Sequence, residues 1–173
     1  MILKAFKEKS NQKYVNKLLA TSRATVNSNK VKTVAVLLNA NEFHEFEVFR
    51  VYFKELGLNS PKHKIIAFTS DDKLEHNKWN THYSPKDFGW KGKIENVELE
   101  EFVNTEFDAL ISYYKEDSLE LNLVTALSKA NFKIGISGKD DRLHDFIINV
   151  KPDEIELFKM ELIKYLKVLN KIQ

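Results

Sequence analysis

The chain has no cysteine, which removes disulfides, thiolate metal ligands and cysteine nucleophiles from consideration and suits a reducing compartment. It lacks any run of eighteen apolar residues, as a membrane-spanning helix would need. The opening MILKAFKEKSNQK is positive but has no apolar core, so a secretory signal is not expected. The expected location is therefore cytoplasmic. Glycine is missing where it would matter most. The turn after the first apolar run, VAVLL, reads Asn39, Ala40, Asn41, Glu42. A dinucleotide fingerprint needs glycines for close backbone approach to pyrophosphate, and a P-loop needs them ahead of Lys and Ser or Thr. Asn39 and Glu42 read instead as a helix cap with its capping-box partner, and Glu42 would repel an arriving phosphate.

What is present is a 173-residue chain with 43% apolar content, long enough for one domain with a substantial core. The net charge is +2, unevenly placed. Residues 1 to 32 hold eight Lys or Arg against the single Glu8, about +7, leaving about −5 for the rest. Residues 1–30 are read as a basic N-terminal helix and linker, and residues 31–173 as a single α/β domain. Along the first helix, Leu3, Tyr14, Val15 and Leu18 make a narrow apolar face interrupted by Lys7, while Lys9, Lys13 and Lys17 form a stripe at four-residue spacing.

Apolar runs at 34–38, 65–68, 107–113, 132–136 and 146–150 predict strands, separated by helical patterns. Phe43, Phe46, Phe49, Phe53 and Leu56 recur at three or four and stop at Gly57. Asp117 with Glu120 suggests the capping box of a further helix. A short helix is expected at 97–103, and Pro152 is expected in the first turn of the last one. The order implies a three-layer α/β sandwich with about five mostly parallel strands, flavodoxin-like or half-Rossmann. Residues 70–96 interrupt it. With Trp79, Tyr83, Phe88 and Trp90 they predict an ordered loop packed on the sheet.

Ligands in parallel sheets sit beyond the strands' carboxyl ends, which selects Thr69, Asp71, Tyr113, Lys115, Ser137 and Lys139 as candidate ligand-binding residues. The turn ISGKDDR offers anion donors, which the opposing Asp140 and Asp141 weaken, and a plain surface turn is the reading it favours. Tyr113 and Tyr114 suggest aromatic faces for a base or sugar, against simple packing. His76 and His82 lie near acidic residues without recognised metal spacing, so no metal is assigned. No cofactor and no catalytic constellation is read from the chain.

The run FDALISYYKEDSLELNLVTALSKANFKIGISG, with VKTVAVLL and FKMELIKYLKVLNKI, resembles a bacterial family of unknown function made of short cytoplasmic α/β proteins. That resemblance transfers no functional residues. Residues 107–138 also look like the strand, helix and strand of the N-terminal Rossmann-like half of heptosyltransferase-type glycosyltransferases. Those enzymes bind nucleotide sugar mainly through a second domain, for which this chain is too short.

The sequence thus reads as a non-catalytic binding or adaptor domain. Lys9, Lys13, Lys17 and Arg23 would meet an anionic partner such as RNA, the ribosome or another anionic surface, the plainer reading being a solvated helix face. The alternative is a nucleotide or sugar-nucleotide sensor or enzyme with its site at the strand ends. A homodimer through Val48, Val51 and Tyr52 of the first body helix is a further possibility.

Overall fold

The computed structural model describes residues 1–21, 25–70 and 81–173. Its central strand, β1 (Val34–Asn39), is buried at every position. A strand of consecutive apolar residues is stable where both faces are covered, and each large side chain it buries contributes about 1.5–3 kcal/mol. Parallel partners flank it: β2 (His63–Phe68), with Val34 opposite His63, and β4 (Ala109–Tyr113), with Val34 opposite Ala109. β5 (Phe132–Gly135) and β6 (Phe146–Ile147) extend one side, and β3 (Thr81–Tyr83) adds to β2 on the other. The resulting six-stranded parallel sheet has the order β3-β2-β1-β4-β5-β6.

Two helical layers cover it. On one face α2 (Phe46–Glu55) and α5 (Ile155–Val168) pack on Val36, Leu38, Ile111, Tyr113 and Ile134. On the other, α3 (Val97–Asn104) and α4 (Leu119–Leu127) meet Ala35, Leu37, Ile66 and Leu110, and the same cluster takes in Val15 of α1 (Ile2–Ala20). This is the expected α/β sandwich, with one strand more than the apolar runs announced. The extra strand is β3, in the polar stretch read as loop. It is three residues long at the sheet edge, where one partner suffices, so it needs little apolar patterning.

Several local expectations shift. Gly57 ends α2 as read: it is left-handed at φ 73°, and Leu58 N donates to Phe53 O at 2.8 Å. α4 is capped one residue later than expected, by Ser118, whose hydroxyl accepts from Leu121 N at 3.2 Å. α5 begins at Ile155, after Pro152, because Glu154 folds back to accept from Lys151 N at 2.7 Å. Tyr52 is buried and donates to Lys159 O, so of the three residues named for a homodimer it does not lie on the open side of α2.

The segment before β1 is fastened by side chains. Asp108 accepts from Lys32 N and Thr33 N, each at 2.9 Å, and Asn131 accepts from Asn27 N at 2.8 Å.

Candidate functional site

In a sheet of this order the chain reverses its winding between β1 and β4, and the crevice beyond those two carboxyl ends is where such folds bind dinucleotides. Here a side chain of the protein fills the position. After β1 a tight turn forms, with Glu42 N and Phe43 N both donating to Asn39 O. Asn39 Oδ1 accepts from Asn41 N, and Asn39 Nδ2 donates to Glu116 O at 3.1 Å. This turn aims Glu42 across the crevice. Its carboxylate accepts from Lys115 N at 2.9 Å and from Glu116 N at 2.9 Å. The expected helix cap is therefore corrected: α2 starts at Phe46 without a side-chain cap, and Asn39 and Glu42 join β1 to the loop after β4.

The cations near this crevice are also engaged. Lys115 Nζ donates to Ile136 O and to Asn149 Oδ1, both at 2.7 Å, linking the loops after β4 and β5. Lys139 pairs with Asp117 at 3.2 Å and Glu116 at 3.7 Å, and its ammonium is held above its usual pKa by the bond to Asp117. Partial burial opposes ionisation of Asp117, but hydrogen bonds from Asn122 and Lys139 outweigh it and hold the carboxyl below its ordinary value. In the ISGKDDR turn Arg142 folds onto Asp140 at 2.7 Å. The positive charge expected to receive an anion there answers the protein's own acids.

The tyrosines are packing residues. Tyr113 is fully buried, 5.0–5.2 Å centroid to centroid from Phe43, Phe49 and Phe158, and its hydroxyl donates to Pro152 O. Burial first, then Asp153, Glu154 and Glu42, push its phenol well above the ordinary value, so it holds its proton at neutral pH. Tyr114 points into the opposite layer and bonds Thr125 at 3.0 Å. The expected pair of stacking faces at the end of β4 does not form. Thr69 is buried beyond β2, its N–H donating to Tyr83 O, on the far side of β1 from Lys115 and Lys139. Ser137 is buried after β5. Asp71, like His76, Trp79 and Arg23, lies outside the described residues. His82 caps no metal cluster: among the described residues no group of three metal-ligating side chains converges.

A second region has the opposite character. α1 lies against the turn at Trp90–Gly92 through Asn11, which is 4% exposed. Asn11 Nδ2 donates to Gly89 O at 3.0 Å, and Asn11 Oδ1 accepts from Gly92 N at 2.9 Å. Lys7, which interrupts the apolar face in sequence, donates to Phe88 O at 2.9 Å. Gly92 sits at φ 70°, and a Cβ there would come within 2.4 Å of the Tyr14 ring. Lys91 is also left-handed, at φ 54°, a conformation that costs a non-glycine residue about 1–2 kcal/mol.

What this braced turn presents is Trp90, 50% exposed, in a slot of about 340 Å³ formed with Leu3, Lys4 and Lys7. Phe6 on α1 is 58% exposed. On the side of α1 away from the body, Lys9, Lys13 and Lys17 are exposed, and none has an ion pair among the described residues. The lysine stripe was legible from spacing. The Trp90 turn was not, because only Asn11, Tyr14 and Gly92 brought together in space reveal the clamp.

Fold and crevice together define a class: a doubly wound parallel α/β domain with the strand order of dinucleotide-binding sheets and its usual ligand position closed by an internal carboxylate. The chain belongs to DUF6913, a family of unknown function, whose model matches residues 7–169 and so takes in most of α1 with the sheet. No curated protein matches it. No helix among the described residues is long and apolar enough to cross a membrane.

Proposed function

We propose that the protein is a non-catalytic cytoplasmic binding domain that recognises an anionic partner through the basic face of α1, with residues 31–173 as the body that carries it. The observation behind this reading is a contrast in how cations are used. Lys115, Lys139 and Arg142 at the strand ends are bonded to the protein's own acceptors. Lys9, Lys13 and Lys17 stand four residues apart on an exposed face with no ion pair among the described residues, spanning about 12 Å of helix. Arg23 continues this basic segment in sequence. A row of exposed ammonium groups gains most from a polyanion, whose counterions it displaces.

The test uses heparin, a polyanion without bases. The wild-type chain should be retained at low salt, and Lys9→Ala/Lys13→Ala/Lys17→Ala should elute at distinctly lower salt. Equal elution of the two would end this reading.

A second reading has one observation in its favour, the strand order itself. Under it, a nucleotide or sugar nucleotide beyond the end of β4 displaces Glu42 from the amides of Lys115 and Glu116. A ligand at a hundred times its dissociation constant adds about 2.7 kcal/mol of stability. A thermal-shift series with nucleotides and sugar nucleotides that leaves the melting point unmoved removes it.

A further inference from the structure

We infer that the anionic partner is single-stranded nucleic acid, held by stacking of its bases on Trp90 and Phe6 and by pairing of its phosphates with Lys9, Lys13 and Lys17. This rests on the reading of α1 given above and adds the identity of the partner.

Three observations carry it. First, the exposure of Trp90 is built: buried Asn11 clamps both sides of its turn, and Gly92 leaves room for Tyr14 where any side chain would collide. A left-handed Lys91 is retained in that turn, and backbone outliers of this kind persist where the surroundings enforce them, often at binding sites. Second, the aromatic surface is interleaved with positive charge. Phe6 precedes Lys9 by three residues and shares the outward stripe with Lys13 and Lys17. Trp90 lies in its slot beside Leu3, Lys4 and Lys7. Third, Lys4 and Lys7 also border a neighbouring depression of about 390 Å³ that holds apolar Phe88 and Leu123 together with Glu8 and Glu120, so the surface continues past Trp90.

Aromatic faces set among lysines are how proteins hold unpaired bases without sequence preference, because every base offers a π-face and every link a phosphate. A duplex keeps its bases stacked internally and offers Trp90 nothing to stack on. A bilayer needs a helix with apolar and charged sides segregated. α1 does not meet that requirement: exposed Phe6 shares its stripe with lysines, and its buried side carries Asn11 and Lys7.

The experiment measures fluorescence anisotropy of a labelled single-stranded RNA of mixed sequence. The same strand as a duplex and vesicles of phosphatidylserine and phosphatidylcholine serve as the other arms. Single-stranded RNA should bind most tightly. Trp90→Ala should weaken it about tenfold while Trp90→Phe retains most of the affinity. Lys9→Ala/Lys13→Ala/Lys17→Ala should reduce the slope of log affinity against log salt by about 2, and Trp90→Ala should leave that slope unchanged. Circular dichroism confirms that each variant is folded. With Trp79→Phe as background, quenching of the remaining Trp90 emission by RNA supports the stacked ring. If Trp90→Ala binds like wild type while the lysine variant keeps its effect, stacking is wrong and the basic-face reading stands. Tighter binding of duplex or vesicles than of the single strand overturns the inference outright.

Discussion

The two ends of this molecule use lysine in opposite ways. At the β1–β4 crevice, Lys115 and Lys139 are drawn inward onto Ile136 O, Asn149 and Asp117, and Glu42 occupies the backbone amides that a phosphate would otherwise meet. On α1, Lys9, Lys13 and Lys17 stay outside while Lys7 and Asn11 turn inward, and buried Asn11 braces an exposed tryptophan. The difference teaches that a strand order suited to dinucleotides does not make a dinucleotide site. The donors at the switch point must also be vacant.

The largest effect should come from breaking the brace. Gly92→Ala forces a left-handed alanine against the Tyr14 ring. Strain and overpacking together should cost about 3 kcal/mol, or about 6–12 °C in melting temperature at this chain length. A melting point within 2 °C of wild type, on the order of half a kcal/mol by the same relation, shows that the turn yields and that Trp90 is not rigidly presented. Asn11→Leu should follow at about 2 kcal/mol, because it leaves Gly89 O and Gly92 N without their partner in a buried site. Denaturant unfolding reads it directly, and an unchanged midpoint contradicts the assigned role.

The crevice offers the sharper contrast. Glu42→Ala removes the acceptor of two amides at a half-buried position, which should cost about 1 kcal/mol. Added inorganic phosphate should then raise the melting point of the variant and leave wild type unmoved. An equal rise in both would show that the internal carboxylate does not close the position. The smallest effect belongs to Lys139→Ala. Asp117 is ionised below its ordinary range in the folded chain, so its pairing stabilises the fold above the unfolded carboxyl value and is lost as pH falls through the folded one. In the variant, the Asp117 titration followed by NMR should move up toward the ordinary value, while stability at neutral pH changes little, as expected for an exposed pair.

Much of the architecture was legible because it rests on local patterns. VAVLL and ALISY announce strands buried on both faces, and the Phe43 to Leu56 spacing with Gly57 announces a helix and its stop. β3 escaped because an edge strand of three residues carries no such pattern. The missing glycines after β1 pointed away from a phosphate cradle, but for Asn39 and Glu42 the sequence suggested the nearest partners, the cap and capping box of a helix starting at that turn, whereas α2 starts at Phe46. The fold supplied a better one, since β4 lies beside β1 and its following amides, 73 and 74 residues away in the chain, were in need of an acceptor.

The same distinction runs through the whole protein. Periodicity and composition alone determined the α/β class, the absence of thiol chemistry and the lysine stripe of α1, because each depends on residues within a few turns of one another. Tertiary structure alone decided which cations are bonded to the protein's own acceptors, that Glu42 fills the crevice, and that Trp90 stands exposed on a buried asparagine. Those outcomes depend on which donors and acceptors meet across the chain, and hydrogen bonds between distant segments leave no period in the sequence.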